Sequence, residues 1–237
     1  MRVQDEPGFV LKKQNYGETS LLVDLFTRHQ GRLRVVAKGA RSGKLQKNRV
    51  LQPFQNLTLG WSGRSALKTL TQVEGQSTNT LNREAMACAF YLSELVWYLL
   101  KEGDPHEDLF DTYGHMLTAI ALGADPEPLL RSFEFLLLQE VGYGLRLNVD
   151  RHMNPLNPQV RYIYHSNIGL TPYEEALHEY VNSAPGSVFS AMSKRDFSDP
   201  ETRKFAKRFM RGILHGVLDG RELLSRKWLR PTGSPGN

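Results

Sequence analysis

At Gly75 the hydrophobic pattern of the chain changes period, which excludes a fold built from one kind of element. Upstream, short runs alternate apolar and polar residues. In Gln55–Trp61, Leu57, Leu59 and Trp61 alternate with Asn56, Thr58 and Gly60, the period-two pattern of a strand with one buried face. Gly8–Lys13, Thr19–Thr27, Arg32–Lys38 and Ala66–Val73 read as four more strands. The links His29–Gly31 and Ser62–Arg64 are short and contain glycine, so strands two and three form one hairpin and strands four and five another. Five short strands with two hairpins match a small closed barrel such as the OB-fold, in which closure removes exposed edges; an SH3-like barrel is the topological alternative.

Downstream the spacing is helical. Asn82 opens an apolar helix over Arg83–Glu102 that closes at Gly103. Asp104-Pro105-His106-Glu107, Asp125-Pro126-Glu127, Thr171-Pro172-Tyr173-Glu174 and Asp199-Pro200-Glu201 each combine a capping side chain, a first-turn proline and an acid near the positive helix end. They predict helices ending near Gly123, Gly142, Ser183 and Leu218. Residues 143–170, rich in asparagine and proline, fit neither period and read as an irregular, cysteine-free insertion between helices. The expected architecture is therefore α+β and multidomain. Residues 1–78 form a five-stranded OB barrel, residues 79–230 an all-α helical domain carrying the insertion 143–170, and residues 231–237 a disordered tail.

Charge follows the same division. Residues 1–80 hold 13 Lys and Arg against 5 Asp and Glu, whereas the rest holds 17 against 20. No acid lies between Asp24 and Glu74, yet Arg28, Arg32, Arg34, Lys38, Arg41, Lys44, Lys47, Arg49, Arg64 and Lys68 all do. A one-sign stretch of this length points to a polyanionic partner, and these ten residues are the candidate DNA-binding set. Gly39–Pro53, the long connection between strands three and four, borders the groove in which an OB barrel takes nucleic acid.

Other chemistry is poorly supplied. Cys88 is the single cysteine, which excludes an internal disulfide, a cysteine-based zinc site and a C-x-x-C redox motif. The Gly39–Leu45 run has three residues between its glycines and Leu45 after Lys44, so it is no P-loop. His152 and His165, with Asp150 nearby, lack the close pairing of metal ligands. No nucleophile motif is present, and neither metal nor cofactor is expected. The amino terminus does not read as a signal peptide and no apolar run approaches the ~20 residues of a membrane span, so a cytoplasmic protein is expected.

Two features of the helical part point to a partner. Phe205, Phe209, Met210, Ile213, Leu214, Val217 and Leu218 form one apolar stripe, and Arg203, Lys204, Lys207, Arg208 and Arg211 fall off it as a basic ridge. Arg131 lies with Glu134 in a nearly all-apolar helix. It is either half of an internal ion pair or a pocket arginine for a carboxylate.

Several segments together resemble the bacterial RecO family of recombination mediators: Glu18–Thr27, Gly31–Ser42, Leu51–Phe54, Leu130–Glu134 with Val141–Gly144, and Ala206–Phe209 with Leu224–Arg226. The resemblance implies an OB domain and a helical domain without enzymatic activity. It also implies binding of single- and double-stranded DNA, strand annealing, contact with RecR, and capture of the acidic tail of the single-strand binding protein during recombinase loading. A monomer in the cytoplasm, associated with the nucleoid, is the expected form. Arg131 and the ridge Arg203, Lys204, Lys207, Arg208 and Arg211 are the expected tail site. Many members carry a four-cysteine zinc module where this chain has residues 143–170 without cysteine. Two other readings stay open on the residues alone: an OB-fold RNA-binding accessory factor, and a small-molecule enzyme in the helical part.

Overall fold

The computed structural model describes residues 2–42, 47–65, 67–75, 81–174 and 183–228, with the side chain of Lys47 left out. They form two compact units, the described residues up to 124 together with 223–228, and the described residues from 125 to 222. This division differs from the expected boundary at 78/79, because two helices belong with the barrel.

The first unit is built on β1 (Arg2–Tyr16), β2 (Ser20–Thr27), β3 (Gly31–Ala37), β4 (Leu57–Ser62) and β5 (Lys68–Gly75), closed in the order β1-β2-β3-β5-β4 with β4 back on β1. The parallel β3–β5 pair, Val35 opposite Lys68 and Val36 opposite Thr69, closes it in OB topology. β1 is longer than the apolar pattern indicates, since it leaves β4 for β2 halfway and shifts register between Val10 and Lys12 to do so. Alternation places Leu21, Val23, Leu25, Leu33, Val35, Leu57, Leu59 and Trp61 inside the barrel. A one-turn helix α1 (Lys47–Val50) lies in the β3–β4 connection.

Helices α2 (Arg83–Leu99) and α3 (Glu107–Ala121) complete this unit. Asn82 caps α2 by accepting the Ala85 N–H at 2.8 Å. The cap expected at Asp104 is corrected: α3 starts at Glu107 with His106 at the cap position. The backbone of Asp104 instead packs against Gly31, where an added Cβ would fall 2.1 Å from the Asp104 carbonyl oxygen. Gly31 has φ +65, so glycine satisfies both the turn and the close approach. The outer faces of β1 and β2 are covered as well: Phe9 and Phe26 meet Phe110 and Tyr113 at centroid distances of 5.0–5.9 Å.

The second unit holds α4 (Pro126–Glu140), β6 (Arg161–His165), β7 (Gly169–Pro172), β8 (Ser183–Pro185), α5 (Gly186–Ser193) and α6 (Pro200–Val217). Asp125 and Asp199 cap α4 and α6 with prolines at the first turn, as their sequences require. Two differences from the sequence reading stand out. The segment after residue 160 contains a three-stranded sheet in the order β7-β6-β8, so this part is not wholly helical. Thr171 and Pro172 end β7 instead of opening a helix, because Thr171 pairs with Ile163 and Tyr162 with Pro172; the body of that expected helix, residues 175–182, lies outside the described residues.

Candidate nucleic-acid interface

The ten candidate cations of the barrel separate into two groups. Three sit on or beside the β2–β3 hairpin and have acid partners. Arg28 clasps Asp111 of α3 with two hydrogen bonds, Nε to Oδ1 at 3.0 Å and Nη2 to Oδ2 at 2.9 Å, and its Nη1 lies 2.7 Å from Glu107. Arg32 donates to the Leu100 carbonyl at 3.1 Å and sits 3.4 Å from Glu102. Arg34 lies opposite Asp24 in the ladder and bonds it bidentately at 2.6 and 3.1 Å, while Trp97 Nε1 donates to the same carboxylate at 3.2 Å. The Arg28 guanidinium holds the Asp111 carboxyl below the usual carboxylate range. For Arg28 and Arg32 the acids absent from the local sequence thus arrive from the α2–α3 segment, 70 to 83 positions downstream, whereas Arg34 is neutralised within the hairpin by Asp24.

The other group lies around the β3–β4 connection and the barrel mouth. Lys38, Arg41, Arg49 and Arg64 are exposed and Lys68 is half-buried, and none has an acid partner among the described residues. Arg41 is fixed by its backbone, whose N–H donates to the Thr19 carbonyl at 2.8 Å, and by Nη1 donating to the Gly17 carbonyl at 3.1 Å. Both ties hold the connection against the β1–β2 turn. Lys44 and the side chain of Lys47 lie outside the described residues.

One organising residue escaped the sequence reading. Lys13, on β1, reaches across to the connection and donates to Asn48 Oδ1 at 3.3 Å, the Leu51 carbonyl at 3.0 Å and Gln52 Oε1 at 3.2 Å. Burial pushes its ammonium pKa down. Lys13 therefore mounts α1, and with it Arg49, on the barrel wall. Only the pairing of strands far apart in sequence could have shown this.

In the second unit, Arg131 and Glu134 are both buried and joined, Nη2 to Oε1 at 2.5 Å. The internal ion pair is the observed state. On α6, Arg203 pairs with Asp125 at 3.0 Å and Lys207 pairs with Glu127, both acids at the start of α4. Lys204, Arg208 and Arg211 remain exposed without an acid partner among the described residues, Arg208 lying 5.2 Å over the Phe205 ring.

The segment 143–170 is held by hydrogen bonds. Asp150 accepts the backbone N–H groups of His152 at 2.8 Å and Asn154 at 2.9 Å, and the Asn154 bond leads the lowering of its pKa. Arg151 N–H donates to the Leu170 carbonyl at 2.8 Å, and Tyr162 Oη accepts from Asn157 N–H at 3.1 Å. A cleft of about 590 Å³ in the first unit is lined by Phe9, Phe54, Phe110 and Leu117 with Asp111 and His115; Asp111 is already engaged by Arg28.

Comparison with known proteins decides the family. The model of the recombination protein O N-terminal region matches residues 1–78 and that of its C-terminal region matches residues 81–227. The chain belongs to the RecO family. The DNA repair protein RecO of Methylococcus capsulatus is 40% identical over 231 residues, covering 97% of this chain and 94% of the relative. Those of Actinobacillus succinogenes, 41% identical over 222 residues (93% and 92%), and Haemophilus influenzae, 40% over 229 residues (96% and 96%), are similar throughout. The RecO family is one of DNA repair proteins, and the OB barrel described above is its N-terminal module here. The four-cysteine zinc module of many RecO members does not fit this chain. Residues 143–170 hold no cysteine, the Asp150 carboxylate is committed to backbone N–H groups, and no group of three or more candidate ligands gathers among the described residues. No described helix is long and apolar enough to cross a membrane.

Proposed function

We propose that this chain is a recombination mediator in DNA repair: it binds single- and double-stranded DNA, anneals complementary strands, and with RecR helps to load recombinase on DNA coated by single-strand binding protein. The observation that carries the DNA-binding part is the state of Lys38, Arg41 and Arg49, on a connection tied down by Arg41 and Lys13, and of Arg64 in the β4–β5 link, all exposed and without acid partners among the described residues. These cations meet phosphates, while the hairpin arginines hold the helical cover in place. Annealing of this kind needs no bond-making step. Two polyanions repel, and a cationic surface that takes up both lowers the barrier to their encounter. The protein works as a cytoplasmic, nucleoid-associated monomer in this reading.

The acidic tail of the single-strand binding protein meets α6 at Lys204, Arg208 and Arg211. Arg131, the remaining residue of the proposed site, is buried and closed on Glu134. The deciding experiment is annealing of complementary strands coated with single-strand binding protein, with and without the full chain. Acceleration by the protein is expected. An annealing rate that the protein leaves unchanged, at a concentration where it binds naked strands, would reject the mediator reading.

A further inference from the structure

The carboxyl-terminal part of the first unit carries an aromatic side chain that neither the barrel cations nor the α6 ridge accounts for. After Leu223, buried at 2% exposure, the chain forms a 3-10 helix, Leu224–Lys227, against α2. Its mount is rigid. The Glu94 carboxylate accepts the N–H groups of Leu224 at 2.8 Å and Ser225 at 3.0 Å and the Ser225 hydroxyl at 2.5 Å. Trp228 N–H then donates to the Ser225 carbonyl at 3.0 Å. The indole packs edge-to-face on Phe90 at 5.1 Å, and Phe90 packs on Phe54 at 4.7 Å. Phe54 holds φ +67, a costly conformation for a bulky side chain, at the end of the basic β3–β4 connection. Despite these contacts Trp228 is 56% exposed.

Arg226 and Lys227 precede the indole directly and have no acid partner among the described residues, while Glu94, the acid of the mount, is occupied by three donors. A half-open indole beside two cations without acid partners among the described residues, joined by an aromatic ladder to the basic β3–β4 connection, has the make-up of a single-strand stacking platform. We infer that Trp228 stacks an unpaired nucleobase, with Arg226 and Lys227 on the adjoining phosphates, and so forms a strand contact outside the barrel. Exposed Leu224 and Met86 belong to the same side of α2, and a protein partner or second copy there is the competing occupant. The unopposed cations and the continuity with the connection favour the nucleic acid. The inference rests on the single-strand binding proposed above.

The test uses the full chain and two fluorescent oligonucleotides of equal length, one of thymidines and one with abasic sites throughout, in the same salt. Trp228→Ala should weaken binding of the thymidine strand about tenfold, the scale of one lost base stack, and leave abasic binding within about twofold. Trp228→Phe should recover most of the difference, and replacing Arg226 and Lys227 with Gln should weaken both strands alike. Melting of each variant separates lost stacking from lost folding. Wild-type affinity of a stably folded Trp228→Ala chain for both strands would overturn the inference and leave the barrel reading standing. The same result with altered sedimentation would assign the surface to a second copy. A wild-type chain that binds neither strand would overturn both proposals.

Discussion

The arginines of the β2–β3 hairpin and the cations of the β3–β4 connection come from one acid-free run of sequence, yet they end in opposite states. Arg28, Arg32 and Arg34 are each closed on a carboxylate, from Asp111 and Glu107, Glu102, and Asp24 respectively. Lys38, Arg41 and Arg49 face solvent with no acid beside them among the described residues. The same contrast recurs on α6, where Arg203 and Lys207 meet the start of α4 while Lys204, Arg208 and Arg211 stay open. Charge counted along a sequence therefore overstates the charge a partner meets, and tertiary pairing selects which part remains available.

The sharpest way to break this comparison is to remove Asp24. Its carboxylate is nearly buried and takes two bonds from Arg34 and one from Trp97. Removing one partner of a fully buried pair costs about 3–5 kcal/mol, and Arg34 at 36% side-chain exposure recovers part of that from water. Asp24→Ala should thus lose about 2 kcal/mol in urea unfolding while single-strand affinity holds or rises. A variant as stable as the wild type would show that the hairpin arginine is not held in solution.

The next effect is on binding. Replacing Lys38, Arg41 and Arg49 together with Gln should lower single-strand affinity at least about tenfold and reduce the salt slope by about 2, at roughly 0.7 per phosphate contact on single strands. The matching replacement of Arg28, Arg32 and Arg34 should change the slope by less than about 1 and act mainly on the melting temperature. Fluorescence titrations across a salt series, with melting on the same samples, distinguish the two. A larger slope change from the hairpin set would invert the assignment.

The barrel was legible because both hairpin links and the Leu57–Trp61 alternation are local signals, and α4 and α6 because Asp-Pro starts act within one turn. Asp104 misled because a similar Asp-Pro start serves there to press the backbone against Gly31, a contact 73 positions away. Thr171-Pro172 misled likewise, since β6 recruits those residues as an edge partner. Among site residues, the open cations of the connection could be read from composition, but their mount could not. Lys13 looks like any strand lysine until α1 is laid against it. Trp228, beyond the last periodic helix, gives no local sign of the Glu94 carboxylate that fixes its turn 130 residues from its own neighbours.

The smallest effect concerns pH and the Arg28–Asp111 clasp. Arg28 holds the Asp111 carboxyl below its ordinary value of 3.8, first through the hydrogen bond and then through charge, with His115 and His29 adding in the same direction. A carboxylate whose folded pKa is depressed adds stability that is present above its unfolded pKa and is lost as the pH falls through the folded value. At neutral pH the wild type should therefore melt slightly above Asp111→Asn, which keeps an oxygen for Arg28 but no charge. The gap should narrow below about pH 4 and close at lower pH, and it should shrink in high salt because the Asp111 side chain is 43% exposed. Glu107, 2.7 Å from the same guanidinium, limits the loss further by retaining part of the attraction. Melting curves of the two chains that run parallel from neutral pH to pH 3 would show that Arg28 is as open to a phosphate as Arg49, and the division between paired and available cations would have to be redrawn at the hairpin.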